Sequence, residues 1–526
     1  MSFIFESANQ VLSLRFPVIV TTVLACTIVY RIFRRGPFDH IPSIGSTNFI
    51  LSYIDAVRYI VRGPQVLQEG YDKFRNKGGV FRIPTITSWL VIVCSKELVE
   101  EMRSLKGEEE LSAELAGREL MSGDHILGRP IYDNPYHLPI LRSRLTKSLD
   151  SWFEPIRNEI MLVFEEQVPL TSEWESVKLY HLCNQIIARG SNRVFVSDPT
   201  ICMVDFLTCQ EPMDTKCCPL ADRDPDYIRL ITDFTLDVAL GAFILALFPA
   251  FLKPLARVYL TNIPRAMKSI TEYLSENIKA RQKSTDEYGR DYPDKENDML
   301  SFFMDDAEGE EREEGRLTLR LLMVNFASIH TSSMTLSGIL QDLADRPEYV
   351  GPLREEIESV ISEHGWSKAS LSYMHKLDSF IMESQRVKTS RAITAMRWSV
   401  KDYTFSNGVK IPKNAMIAVA MRPRHYDSEF FENPNKFDGW RFCKSDDASR
   451  NLHLTSNKSP FLLFGVGEHA CPGRFFAANT IKTAVAHFLM THDVKPDLTN
   501  PPRDTWIGPD LLPNNATTLL FKERKG

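Results

Sequence analysis

The sequence predicts a mainly α chain with small β-sheets and one N-terminal transmembrane helix, and three observations carry that prediction. Residues 317–343 keep apolar side chains at helical spacing over a long run. Residues 80–83 and 90–94 are two short apolar runs around a turn, the pattern of a small sheet. Residues 16–30 (FPVIVTTVLACTIVY) carry no charge, and the segment widens to residues 12–33 with Arg15 and Arg31 snorkelling. A bilayer core takes about 20 apolar residues, so this is a short anchor. No small-x-small cleavage pattern follows it. Arg31, Arg34 and Arg35 come next, then Pro37 and Pro42, which argues against a cleaved signal peptide. The cationic flank belongs in the cytosol. The expected setting is the endoplasmic reticulum membrane, single-pass, with the body of the chain cytosolic.

Residues 1–35 are thus read as membrane anchor and basic stop-transfer, and residues 36–526 as one globular unit. No Ser/Gly-rich linker divides the chain and no period repeats along it. A net charge of -6 argues against a nucleic-acid partner. The nine cysteines are scattered, and an odd count in a reducing compartment needs no disulfide framework. The sequons at Asn457 and Asn515 would then be unused.

Taken in order, residues 67–77 have helical spacing broken by Gly78-Gly79. Residues 108–136 are irregular. Residues 138–149 (LPILRSRLTKSL) read as an amphipathic helix with Arg142, Arg144 and Lys147 on its polar side. Residues 200–222 hold Cys202, Cys209, Cys217 and Cys218 without the spacing or histidines of a zinc site, so a loop insertion or a retained intron is the reading there. Residues 238–252 are a second uncharged run, interrupted by Pro249 and too short to span. Its first half is expected in the core, and the part beyond Pro249 suits contact with a membrane surface. Residues 281–316 are highly charged and read as a surface connection.

The chemistry gathers at residues 461–474, FLLFGVGEHACPGR. Gly465, Gly467 and Gly473 permit turns that side chains would block, so peptide N–H groups can approach a sulfur closely. Pro472 suits the first position of the following helix, which leaves Cys471 at its cap. There the positive end of the helix dipole is expected to lower the thiol pKa. A buried structural cysteine is the plainer alternative. The stretch resembles the haem-binding signature of the cytochrome P450 family, F-x-x-G-x-x-x-C-x-G, in the fuller form F-G-x-G-x-H-x-C-P-G-R.

The resemblance implies the helix-rich cytochrome P450 fold and haem b (iron protoporphyrin IX) as cofactor, with Cys471 as the iron ligand. Phe464, Gly465 and Gly473 would pack at the ring, and His469 would bond a propionate. Arg142 matches the arginine of the family's W-x-x-x-R motif, although Leu138 stands where its tryptophan would be. Arg397 falls where relatives place a propionate-binding arginine. Arg144 and Lys147 fit either a solvated face or a docking surface for an acidic redox partner. Within residues 326–332 (FASIHTS), Thr331 matches the threonine of the oxygen-side helix. A mid-helix threonine can bond back one turn, widening the helix locally, and can manage protons. Ser328 replaces the family's glycine and His330 its acid, so His330 is either a proton relay or a plain pocket residue. This A-x-I-H-T variant resembles fungal members that oxidise terpenoids.

Glu383-Ser-Gln-Arg386 matches the family's E-x-x-R, whose members share a helix face, and Arg441 in FDGWRF completes its structural triad. Ala327, Ala392, Ile393, Met396 and Ile507, the last in the final hairpin, are the expected pocket residues. No flavin or nicotinamide domain follows the haem loop, so electrons are expected from NADPH–cytochrome P450 reductase. The implied activity is a monooxygenase acting with O2 on a lipophilic small molecule of terpenoid or steroid-like class, at the membrane lipid. The alternatives are a haem-thiolate isomerase or dehydratase working without reductase, and a non-catalytic haem sensor or transporter.

Overall fold

The computed structural model describes residues 38–197, 223–443, 452–456, 460–500 and 505–525. The expected anchor at residues 12–33 and the insertion at 200–222 lie outside the described residues. The principal helices are α1 (Phe49–Val61), α2 (Gly63–Phe74), α3 (His137–Lys147), α4 (Leu149–Gln167), α5 (Leu179–Phe195), α6 (Pro225–Ala246), α7 (Lys253–Leu260), α8 (Ile263–Tyr288), α9 (Glu314–Asp345), α10 (Val350–His364), α11 (His375–Val387) and α12 (Arg474–Thr491). The strands are β1 (Val80–Pro84), β2 (Trp89–Val93), β3 (Leu111–Ser112), β4 (Glu175–Lys178), β5 (Ile393–Ser399), β6 (Tyr403–Thr404), β7 (Lys410–Ile411), β8 (Met416–Ala420), β9 (His492–Pro496), β10 (Thr505–Ile507), β11 (Asp510–Leu512) and β12 (Thr518–Glu523). Among the described residues no helix is long and apolar enough to cross a membrane.

The chain divides into two compact units. Among the described residues, the first draws on the chain up to residue 132 and on 237–264 and 396–419, and the second on the rest. The first is built on a five-stranded sheet of order β1-β2-β8-β5-β3. Strands β1 and β2 pair antiparallel with Phe81 opposite Ile92, and β2 pairs parallel with β8. Every residue of β1 and β2 is buried, Arg82 of β1 included, which explains their otherwise continuous apolar runs. Helix α2 starts at Gly63 with Pro64 in its first turn, four residues before the helical spacing becomes visible. It rests on β1 so closely that a Cβ at Gly70 would stand 2.2 Å from Phe81.

Residues 238–252 depart from the expected core burial. Val238, Ala242 and Leu245 are buried, but Leu240 and Phe243 are 58% and 48% exposed. The run is amphipathic by placement, with both faces apolar by composition. Helix α7 continues the exposed surface with Leu255, Val258, Tyr259 and Leu260.

The second unit is organised around α9, whose buried stripe includes Leu317, Leu321, Ile329, Leu336, Leu340 and Leu343. It packs on α5, α11 and α12, and α4 packs on α5. Pro347 follows its end and blocks continuation. The charged stretch 281–316 is not simply a surface connection. Arg281 is 3% exposed and donates to Asp298 (2.9 Å to each carboxylate oxygen), itself fully buried. Arg144, 34% exposed, is paired at the surface with Asp305 (2.9 Å) and Asp306 (3.1 Å). The final hairpin is present as β10-β11, with Gly508 at φ +58° in its turn.

Candidate active site

Helix α11 carries Glu383 and Arg386 one turn apart, both 0% exposed. Arg386 donates Nε to Glu383 Oε2 (2.8 Å) and Nη2 to Oε1 (2.9 Å). Arg441 donates Nε to the same Oε2 (2.9 Å), and the Asp438 amide donates to Oε1 (2.9 Å). One carboxylate therefore receives four charge-assisted or amide bonds, the saturation that makes a buried ionic group tolerable. Arg386 Nη1 reaches on to the carbonyls of His425 (2.6 Å) and Pro434 (2.8 Å). The His425 ring stacks on Phe461, centroids 5.6 Å apart at 12°. Phe461 opens the cysteine loop, so the expected structural triad braces that loop through one imidazole.

Within the loop, Gly465 (φ +78°) and Gly467 (φ +64°) adopt the left-handed backbone that only glycine takes readily. The Cys471 amide donates to the Phe464 carbonyl (2.8 Å) and closes the turn. His469 is half-buried, in the 3-10 turn Gly467–His469. Gly473 works differently from its two neighbours. Its φ is -82°, and a Cβ there would lie 3.9 Å from Cys471 Sγ. Helix α12 begins at Arg474 with Gly473 as its cap, so Pro472 is not its first residue and Cys471 is set back from the cap.

The expected lowering of the thiol pKa is overturned by burial. Solvent reaches Cys471, the exposed member of the four free cysteines described. Yet surrounding protein pushes its thiol above the ordinary value, outweighing the downward pull of the Gly473 and Arg474 amides and the Arg474 charge. A coordinated cation would remove its proton outright. Arg474, which the motif placed next to the cysteine without a role, also donates Nη1 to the Cys471 carbonyl (2.9 Å).

On α9, Ala327 and Thr331 are exposed four residues apart, on one face of a helix otherwise mostly buried. Thr331 Oγ1 donates to the Ala327 carbonyl (2.9 Å). The expected local widening is absent, since α9 is assigned as continuous α-helix through residue 345. His330 points elsewhere. Its Nδ1 lies 2.5 Å from the Tyr180 hydroxyl and its Nε2 lies 2.7 Å from Thr235 Oγ1. Burial lowers its pKa to about 4, so the ring is neutral at physiological pH. Tyr180 and Thr235 had no signature in the sequence.

Around β5, Ala392 and Ile393, two of the expected pocket residues, are 0% and 2% exposed. Ala392 is spent on backbone bonds, donating to Pro509 (2.7 Å) and accepting from Met421 and Arg422 (3.0 Å each). Ala395 sits at φ +49°, breaking strand alternation, and leaves Thr394, Ala395 and Met396 consecutively half-exposed. Thr394 is an addition that the left-handed residue beside it accounts for. Ile507 is 42% exposed. Arg142 is exposed on α3 and makes no side-chain bond among the described residues.

Arg397 belongs to the first unit. It is 4% exposed and donates to the Met396 carbonyl (2.9 Å), with no carboxylate in hydrogen-bonding reach among the described residues. Burial lowers its pKa, against a weak pull from Glu108. A guanidinium buried without an anion fits a site that receives one. Within the second unit, the open thiol of Cys471 and the open face of α9 fit a haem.

Residues 60–520 match the family model described as Cytochrome P450. The chain is 34% identical to Cytochrome P450 monooxygenase 103 of Postia placenta, over 97% of this chain and 98% of the relative. It is 28% identical to Cytochrome P450 monooxygenase CYP512U6 of Ganoderma lucidum, over 96% and 97%. The solved structure of retinoic acid bound cyanobacterial CYP120A1 aligns with a TM-score of 0.63 at 17% identity, covering 89% of this chain and 96% of that one. Agreement on that scale establishes the family: the chain belongs to the cytochrome P450 monooxygenases, which take haem as cofactor.

Proposed function

We propose that this monooxygenase oxidises a lipophilic natural product of terpenoid or steroid-like skeleton at the endoplasmic reticulum membrane, with electrons from NADPH–cytochrome P450 reductase. The net reaction joins a substrate C–H bond, O2, two electrons and two protons to give an alcohol and water. The carrying observation is that the second unit leaves two places open amid buried surroundings, Cys471 and the Ala327/Thr331 face. Cys471 would ligate the iron, its charge tempered by the Gly473 and Arg474 amides. Phe464, His469, Arg142 and Arg397 would hold the ring and its propionates. O2 binding and reduction come with the haem. Thr331 holds its hydroxyl proton on the Ala327 carbonyl, which leaves oxygen lone pairs free to accept and pass on protons.

The membrane setting is supported by exposed apolar faces in the first unit. Leu51, Ile54, Val57 and Val61 form one stripe along α1, and Phe251, Leu255, Val258 and Tyr259 another around α7. The terpenoid class rests on the A-x-I-H-T resemblance.

The test is the reduced, carbon-monoxide-bound difference spectrum in microsomes, beside Cys471→Ala, followed by NADPH consumption with a terpenoid panel. A thiolate-type Soret band lost in the variant, and NADPH use that rises with a terpenoid, are expected. A histidine-type band in the native protein would sink the ligand assignment. Turnover without O2 and reductase would favour the isomerase reading instead.

A further inference from the structure

Helix α9 is tied to α5 and α6 by two polar rungs within the second unit. At the first, Asn192 of α5 donates Nδ2 to Asn325 Oδ1 (2.8 Å), and the Tyr227 hydroxyl of α6 reaches Asn192 Oδ1 (3.4 Å). The second is Tyr180 of α5, His330 of α9 and Thr235 of α6. The Tyr180 and His330 rings lie parallel within 7°. Tyr227 and Thr235 are about 12 Å apart along α6 at 1.5 Å per residue, so the rungs fix both sliding and rotation of the helices.

One assignment of protons satisfies every contact of the second rung. Thr235 has one hydroxyl hydrogen, and it goes to the Thr232 carbonyl (2.7 Å). Thr235 Oγ1 therefore meets His330 Nε2 as an acceptor, and Nε2 carries the ring proton. In the neutral ring Nδ1 then accepts, from the Tyr180 hydroxyl. The bonds run one way, from Tyr180 to His330 to Thr235, and end on a backbone carbonyl that cannot pass a proton on.

We propose that Tyr180, His330 and Thr235 are positioning residues: a neutral strut, not a proton relay, that sets the rotation of α9 and with it the direction of Thr331. Consecutive helix residues differ by about 100° in direction, so pinning residue 330 between α5 and α6 aims residue 331. The mechanistic half of this proposal rests on the monooxygenase reading; the strut itself does not.

The test compares His330→Ala, His330→Gln, Tyr180→Phe and the His330→Ala/Tyr180→Phe double variant as haem-loaded protein. Glutamine offers one acceptor and one donor but cannot exchange a proton through a ring. Melting is read first. The two single substitutions should be non-additive by roughly 2 °C, because each removes the same bond. Additive shifts would overturn the strut whatever the catalysis. Peroxide release is read second, with NADPH and purified reductase and no substrate added, using Thr331→Ala as the misaimed reference. His330→Ala should leak about three- to tenfold more than the native protein, the scale of one lost hydrogen bond. His330→Gln should recover most of that loss. Glutamine behaving like alanine, or an unchanged leak in His330→Ala, would overturn the positioning role. Failure of the native protein to show a thiolate spectrum would count against the monooxygenase reading and leave the melting comparison decisive for the strut.

Discussion

The cysteine side and the oxygen side of the second unit are braced by opposite chemistry. Behind the cysteine loop, two arginines share one fully buried carboxylate, and spare guanidinium donors reach backbone carbonyls. On the oxygen side the ties from α9 to α5 and α6 are amide, phenol, imidazole and hydroxyl, all neutral, while the nearest ion pairs of α9, at Arg320 and Asp342, stand about three turns away from Thr331 on either side. Charge gives a lock that holds only when complete, since any missing member strands a buried ion. Neutral rungs lose less when one fails, and they leave no net field beside a site where protons must move. The lock thus secures ligation while the rungs secure aim.

The largest effect should come from breaking the lock. Glu383→Ala leaves Arg386 buried and unpaired, a cost of about 3–5 kcal/mol. We expect little haem-loaded protein, read as loss of the carbon-monoxide spectrum at equal expression. Arg441→Ala should be milder, because Arg441 is 11% exposed and water can partly replace it.

Breaking the first neutral rung comes next. Asn325→Leu leaves one hydrogen of the Asn192 amide without its acceptor, the other staying on the Ala188 carbonyl (2.9 Å), at about 1–3 kcal/mol, and should lower the urea midpoint while the thiolate spectrum persists. A variant as damaging as Glu383→Ala would erase the contrast between the two sides.

Acid sharpens it further. The His330 pKa is lowered to about 4 by burial, against roughly 6.5 for an unfolded histidine. Between those values the unfolded chain holds the extra proton, so stability from this neutral ring is full above pH 6.5 and lost as pH falls toward 4. His137, His425, His487 and His492 are depressed for the same reason and act with the same sign. The urea midpoint should fall from pH 7.5 to 5.5, and fall less in His330→Gln. An equal fall in both would show that His330 is already solvated.

The smallest structural effect is expected for Thr331→Ala. Its hydroxyl bonds only carbonyls of its own helix, so melting should move by under about 1 kcal/mol equivalent while peroxide release rises. A large drop in melting would make Thr331 a structural residue.

How much was legible follows from how far apart the partners lie in the chain. The cysteine loop, the E-x-x-R turn, the β1-β2 pair and the last hairpin are each written within a few residues, where spacing and glycine placement speak directly. The rungs are not: Tyr180 and Thr235 stand 150 and 95 residues from His330, and neither residue type is distinctive on its helix. Arg281 looked like surface because composition records charge and not pairing. Residues 238–252 misled for the converse reason: an apolar run reads as core whether or not anything covers its far side. The start of α12 at Arg474 turned on two residues, a margin that the preference of proline for a first turn cannot resolve.

Arg397 carries a consequence for the life of the protein in the cell. A cation sealed in the first unit, with no carboxylate in hydrogen-bonding reach among the described residues and only a weak pull from Glu108, is a standing cost until an anion arrives. On the proposed reading that anion is a haem propionate, which makes cofactor uptake a condition of durability as well as of activity. A host starved of haem should then hold less of the polypeptide itself, because chains still carrying the unanswered charge open more often and are cleared by proteolysis.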